Sequence, residues 1–191
     1  MENLKLLHLT WNDIQRLTEI VAKKIDASGF KPDIVVAVSR GGFDPARIIC
    51  DQLGIRRLTS IQLESYEGMS RSREPAVVLP VNADLHGKRA LLVDDVSDSG
   101  ASLVRARDHL LENGAGEVRV LTLHIKPWTK FKPDYYADET DEWVVYPWEI
   151  KECILVVAKN IQDSGLKGEA VITKLVELGF KKRDVNRYLT S

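Results

Sequence analysis

The sequence predicts an α/β domain, a mostly parallel sheet covered by helices on both faces, followed by a C-terminal helical extension. Continuous apolar runs of the kind found in strands buried on both faces recur at Asp33–Val38, Arg89–Val93 and Val118–Ile125. Amphipathic helical segments alternate with them, which argues parallel crossovers. After Glu149 the pattern turns to helices only, the mark of an appended unit.

In chain order, Thr10 and Asp13 form a capping pair, and Ile14, Leu17, Val21 and Ile25 follow at helical spacing until Ser28-Gly29 stops the helix. The strand Asp33–Val38 ends in the turn Ser39-Arg-Gly-Gly42. Asp44 as cap and Pro45 at the first helical position predict a helix through Ile48, Ile49 and Leu53, closed by Gly54. Strands are expected at Leu58–Leu63 and Ala76–Val81, separated by the polar segment Glu64–Pro75, whose length marks a functional lid or a disordered loop. The strand Arg89–Val93 leads through Asp94–Ser99 and Gly100 into a helix ending near Asn113. Gly114 and Gly116 break the chain before the strand Val118–Ile125. An acidic stretch, Pro133–Glu149, surrounds a short strand Trp143–Tyr146. Helices are expected from Ile150 to about Asn160, at Glu169–Leu178 and at Arg183–Leu189.

The chain has 191 residues, 44% of them hydrophobic, which is enough for one domain of ~100–200 residues to fold without staples. With 27 basic and 28 acidic side chains its formal net charge is -1, so it has no general pull toward nucleic acid or anionic lipid. Any phosphate binding must come from a local constellation. Cys50 and Cys153 are too few for a disulfide framework and read as buried thiols. No apolar run approaches ~18 residues and the opening lacks the plan of a signal peptide, which predicts a soluble, cytoplasmic protein with no membrane partner. His8, His86, His109 and His124 have no zinc-ligand spacing, and neither the dinucleotide glycine fingerprint nor the P-loop motif occurs.

Chemistry concentrates in Leu91-Leu-Val-Asp-Asp-Val-Ser-Asp-Ser-Gly-Ala-Ser102, where a buried strand meets two adjacent carboxylates, a turn of small residues and a helix N-terminus. The turn Asp98–Ser102 suits a phosphate, because free amides and the positive helix end favour an anion. Asp94 and Asp95 suit hydroxyl donors beside it, and Mg2+, as a ribose phosphate presents them. The Gly-Gly turn at Ser39–Gly42 exposes amides and Arg40 adds a cation, a cradle for a diphosphate.

Val93-Asp-Asp-Val-Ser-Asp-Ser-Gly-Ala-Ser102 resembles the phosphoribosyl diphosphate (PRPP) signature of the type I phosphoribosyltransferases, with Ser99 and Ser102 standing for the usual threonines. Val36–Gly42 resembles that family's pyrophosphate loop, and Lys126-Pro-Trp128 with Trp143–Glu149 resembles the base-binding hood of its xanthine-guanine branch and archaeal purine relatives. The resemblance spans roughly Leu9–Glu149. It implies a type I phosphoribosyltransferase fold over residues 1–149, with the hood at about 126–149 and the extension at 150–191. It further implies that Asp94 and Asp95 hold the ribose hydroxyls, and that Asp98, Ser99, Gly100, Ala101 and Ser102 hold the 5'-phosphate. Ser39, Arg40 and Gly41 would take the diphosphate, and Asp95 and Glu149 the Mg2+ or its waters. Lys126 would reach a purine 6-oxo group, Trp143 would stack on the base and the backbone near Val144 would read its edge. Ser65 and Tyr66 would open a flexible catalytic loop, from which Arg71 or Arg73 meets the diphosphate. Trp128 and Trp148 receive no role beyond core packing.

The reaction so implied is transfer of 5-phosphoribosyl from PRPP to a purine base with release of pyrophosphate and formation of a purine nucleoside monophosphate. Arg40 stabilises the leaving group and Asp98 acts as general base or acid at the purine N7. Lys126 favours guanine, hypoxanthine or xanthine; adenine on the same scaffold is the alternative, and a non-catalytic sensor of PRPP or nucleotide a third. The basic residues Lys181, Lys182, Arg183 and Arg187 read as a solvated face rather than a nucleic-acid site. A homodimer or homotetramer is expected.

Overall fold

The computed structural model describes residues 4–65 and 75–189. The chain divides into two compact units, one formed by Ile14–Asp141 and the other by Met1–Asp13 with Glu142–Ser191. Helix α1 (Trp11–Ser28) opens on the expected reciprocal cap: the Thr10 N–H donates to Asp13 Oδ2 at 2.9 Å and the Asp13 N–H to Thr10 Oγ1 at 3.3 Å. Its face Ile14, Leu17, Val21 and Ile25 is buried.

In the larger unit the strands β2 (Ile34–Ser39), β3 (Leu58–Ser65), β4 (Pro75–Leu79), β5 (Arg89–Ser97), β6 (Glu117–Ile125) and β7 (Tyr135–Glu139) form a six-stranded sheet in the order β4-β3-β2-β5-β6-β7. Only β4 runs antiparallel to its neighbour. Alternate residues of each strand enter opposite cores, as the two-residue period requires. Val35, Ala37, Leu91 and Val93 pack with α1 and α2 (Phe43–Gln52). Val36, Val38, Ala90 and Leu92 pack with α3 (Ala101–Glu112).

The topology decides where a ligand can go. From β2 the chain crosses through α2 to β3 on one side; from β5 it crosses through α3 to β6 on the other. Adjacent parallel strands whose connections leave in opposite directions open a crevice at their carboxyl ends. Pairing between β2 and β5 accordingly stops at Ala37↔Val93, although both strands continue beyond it.

Several boundaries differ from expectation. Strand β5 does not end at Val93 but runs to Ser97, because Asp94, Val96 and Ser97 stay in register with Thr122, His124 and Ile125 of β6. Helix α2 is capped by Gly42 rather than Asp44, which lies in its first turn. Strand β4 ends at Leu79, before the expected Val81. Strands β7 and β1 (Leu6–His8) were not anticipated.

In the smaller unit β1 pairs in parallel with β8 (Trp143–Val145). Helices α4 (Ile150–Asp163), α5 (Glu169–Glu177) and α6 (Lys182–Leu189) bury Ile154, Val157, Leu175, Phe180 and Val185 in a core shared with Val145 and the half-buried Leu4 and Leu6. By packing, residues 142–149 therefore go with the helical extension, whereas the expected division by resemblance falls after Glu149. Burial pushes the thiols of Cys50 and Cys153 up to about 11, so both are neutral buried groups. No helix among the described residues is long and apolar enough to cross a membrane.

Candidate active site

The crevice between β2 and β5 collects the predicted residues of the larger unit. Asp95 is 7% exposed and half-buried Asp94 accepts the Asp95 N–H on Oδ1 at 3.0 Å, so the two carboxylates project from the extended end of β5 on opposite faces. The turn Ser39–Gly42 fills the gap where β2 and β5 part. A Cβ on Gly41 would stand 2.6 Å from the Asp95 carboxyl carbon, and one on Gly42 would strike the carbonyl oxygen of Val93 and stand 2.7 Å from that of Val38. Neither glycine has positive φ; close approach is what demands them. Ser39 Oγ donates to the Ile61 carbonyl at 3.1 Å, tying the turn to β3. The Ser39–Arg40 peptide bond is cis and Arg40 is exposed.

Beyond Ser97 the chain turns through Asp98 and Ser99 to Gly100, which caps α3 at φ +83, a conformation open to glycine. The cap residue Gly100 has no side chain to offer the helix, and no acid occupies the first turn. The Ala101 N–H donates to Ser99 Oγ at 3.3 Å, and the amides of the first turn face the crevice end of the helix. A helix N-terminus free of carboxylates is suited to an anion.

A segment that sequence reasoning did not connect to the phosphate turn is fastened along it. The Lys126 N–H donates to the Ser97 carbonyl at 3.0 Å and the Lys130 N–H to that of Ser99 at 3.2 Å. Ser97 Oγ lies 2.9 Å from Thr129 Oγ1 and donates to the Phe131 carbonyl at 3.1 Å. Lys126 is 8% exposed. Trp128, expected in a core, is instead 56% exposed, and its indole N–H donates to Asp98 Oδ1 at 2.7 Å. No local pattern marks that contact, since the partners are far apart in sequence and meet only because β5 and β6 are neighbours.

Behind Lys126, His124 of β6 is 1% exposed and stands beside Asp138 of β7. Burial pushes its imidazole down to about 4, with Lys126 and Arg16 assisting and Asp138 opposing. Between pH 6.5 and 4 the unfolded chain therefore binds a proton that the folded chain refuses, and stability falls as pH drops through that window, by on the order of 3 kcal/mol at pH 4. His124→Leu is expected to flatten the decline of Tm across the same range. Parallel Tm profiles for the two proteins would reject this account.

In the smaller unit, Trp143 is 37% exposed at the start of β8, Val144 is buried and Glu149 caps α4, its N–H bonded to the Tyr146 carbonyl at 3.1 Å. Trp148 stacks on Tyr146 with ring centroids 4.8 Å apart. Ser65 ends β3, while Tyr66, Arg71 and Arg73 lie outside the described residues.

Among the described residues no group of three or more His, Cys, Asp or Glu side chains is set to hold a metal. A resident metal held by the described side chains alone does not fit. Mg2+ carried in by a phosphorylated substrate does, because that ion commonly takes one or two carboxylates and completes its shell with water and phosphate oxygens. Asp94 and Asp95 supply hard oxygen donors of that kind.

The phosphoribosyl transferase domain family matches residues 10–152. A xanthine-guanine phosphoribosyltransferase of Cereibacter sphaeroides is 31% identical over 155 residues, covering 76% of this chain and 88% of the relative. Among solved structures, a purine phosphoribosyltransferase from Pyrococcus horikoshii is 36% identical with a TM-score of 0.69, covering 76% of this chain and 94% of that one. A hypothetical protein from Neisseria gonorrhoeae with bound ppGpp is 29% identical with a TM-score of 0.70, covering 77% of this chain and 90% of that one. Both the fold and most of the chain's length lie within this match, and the protein belongs to the phosphoribosyltransferase family.

Proposed function

We propose that this phosphoribosyltransferase acts in purine salvage, moving 5-phosphoribosyl from PRPP to guanine, hypoxanthine or xanthine with Mg2+ and releasing pyrophosphate. The observation that carries the reading is the pair Asp94 and Asp95 at the extended end of β5, running into an acid-free helix N-terminus across the switch point from Gly41. A ribose bearing phosphates at both ends needs that order of groups: hydroxyl acceptors between two anion cradles. The xanthine-guanine activity of the Cereibacter relative and the guanine nucleotide bound to the Neisseria protein support a 6-oxopurine over adenine.

In this reading Asp94 and Asp95 accept hydrogen bonds from the ribose hydroxyls, and residues 98–102 take the 5'-phosphate on hydroxyls and amides. Ser39, Arg40 and Gly41 receive the diphosphate. Asp95, with Glu149 by resemblance alone, holds Mg2+ or its waters; when bound, the ion supplies charge neutralisation to the leaving group. The bond from ribose C1' to the diphosphate oxygen breaks, a bond from C1' to a purine nitrogen forms, and the proton released by the base passes to the Asp98 carboxylate. Lys126 donates to the 6-oxo group, and Trp143 and Val144 keep the stacking and edge-reading roles of the hood. The transferase occupies residues 1–149, to which 150–191 is an addition, and the protein works as a cytoplasmic homodimer or homotetramer.

Incubation with PRPP, Mg2+ and each of the four bases tests the proposal by chromatography of the nucleotides formed. GMP, IMP or XMP is the expected product. AMP alone would move the assignment to adenine, and no nucleotide from any base would overturn it.

A further inference from the structure

Trp128 is an exposed aromatic residue with two specific contacts. Its indole N–H donates to Asp98 Oδ1 at 2.7 Å, and Lys126 Nζ lies 5.6 Å from its ring centroid, within cation–π range. At 56% exposure it belongs to none of the apolar cores, so core packing does not account for the aim of its N–H. Its backbone is placed independently of the ring by the Lys126 and Lys130 amide bonds to Ser97 and Ser99 and by the contact of Thr129 with Ser97. The segment thus carries a rigid N–H donor to the carboxylate of the phosphate turn.

The consequence is geometric. Asp98 is exposed and follows the last residue of β5, so nothing in the strand ladder sets its side-chain torsions. With Oδ1 engaged by the indole, Oδ2 is the oxygen left for a proton on the base. The same ring lies over the lysine assigned to the 6-oxo group, so one side chain links the two groups assigned to the neighbouring N7 and 6-oxo positions on one edge of the purine. We infer that Trp128 is a positioning residue for the transfer step, acting through Asp98 by its N–H and through Lys126 by its ring face. The kinetic part rests on the proposed function; the hydrogen bond does not.

Two substitutions separate the contacts. Trp128→Phe keeps an aromatic face for Lys126 and removes the N–H; Trp128→Ala removes both. Phenylalanine is expected to lower kcat about tenfold, the size of one hydrogen bond to a charged group, with the KM for PRPP within about twofold of wild type. Alanine should lower kcat similarly and also raise the KM for the purine. Combined with Asp98→Ala, Trp128→Phe should cost nothing more, a coupling that a merely structural role would not produce. Independently of activity, Asp98→Ala should shift one indole N–H resonance in a 1H–15N spectrum, assigned to Trp128 by its loss in Trp128→Phe. Thermal unfolding shows whether each variant is folded. Wild-type kcat in Trp128→Phe, equal losses with and without Asp98, or an indole resonance indifferent to Asp98→Ala would each overturn the inference. If the wild-type protein makes no nucleotide at all, the proposed function falls, and the resonance decides whether Trp128 holds Asp98.

Discussion

Asp98→Asn is expected to lower kcat about 100-fold or more while leaving the KM for PRPP within about threefold. Asparagine matches aspartate in shape and keeps a carbonyl oxygen to accept the Trp128 indole N–H, so the turn holds its conformation. That conformation rests on main-chain bonds, from Lys130 to the Ser99 carbonyl and from Val104 to the Gly100 carbonyl, which no side chain at position 98 enters. The 5'-phosphate cradle therefore survives. Proton acceptance is lost, since an amide cannot take the proton that leaves the base as C1' is captured. Steady-state kinetics with PRPP and the preferred purine separate the two. Equal losses in kcat and in PRPP affinity would mean that Asp98 serves the phosphate cradle and has no proton-transfer role.

Much of this site was legible because its chemistry is local. The succession from Leu91 to Ser102 carries its meaning in consecutive residues: an apolar strand, two acids, small hydroxylic residues and a helix start. The same holds for the reciprocal cap at Thr10 and Asp13 and for the runs that became β2 and β6. What could not be read depends on partners distant in sequence. Asp94, Val96 and Ser97 look like loop residues, yet they extend β5 because β6 offers matching backbone groups in register. Tyr135–Glu139 has too little apolar periodicity to announce a strand, and it is one because β6 presents it an edge. Trp128 lies in the hood-like Lys126-Pro-Trp128, but nothing in the sequence joins it to Asp98, since that pairing is set by the neighbouring strand. The C-terminal helices were visible as elements, but their core also draws on Leu6 from the chain's beginning and Val145 from β8.

Gly41 and Gly42 read in the sequence as one feature, a turn exposing amides, and substitution by alanine is expected to divide them. Neither needs positive φ, so the backbone itself tolerates a side chain at both positions. What differs is the neighbour that must yield. At Gly42 the added methyl meets main-chain atoms, the Val93 carbonyl oxygen on one side and the Val38 oxygen and nitrogen, 2.7 and 2.8 Å away, on the other. These belong to the two central strands and cannot move without parting the sheet. Gly42→Ala should therefore destabilise by about 3 kcal/mol, the upper range for overpacking, and lower Tm by roughly 10 °C. At Gly41 the methyl meets a side chain, the Asp95 carboxylate, which can rotate away. Gly41→Ala should lower Tm by less than half as much as Gly42→Ala, because one carboxylate yields rather than two strands. It should nonetheless reduce kcat/KM for PRPP about 100-fold, because the displaced carboxylate is the one assigned to ribose and Mg2+. Calorimetry and kinetics on the pair would measure both effects. A stable Gly42→Ala protein, or a Gly41→Ala protein of wild-type kcat/KM, would show that the crevice between β2 and β5 is looser than its contacts imply.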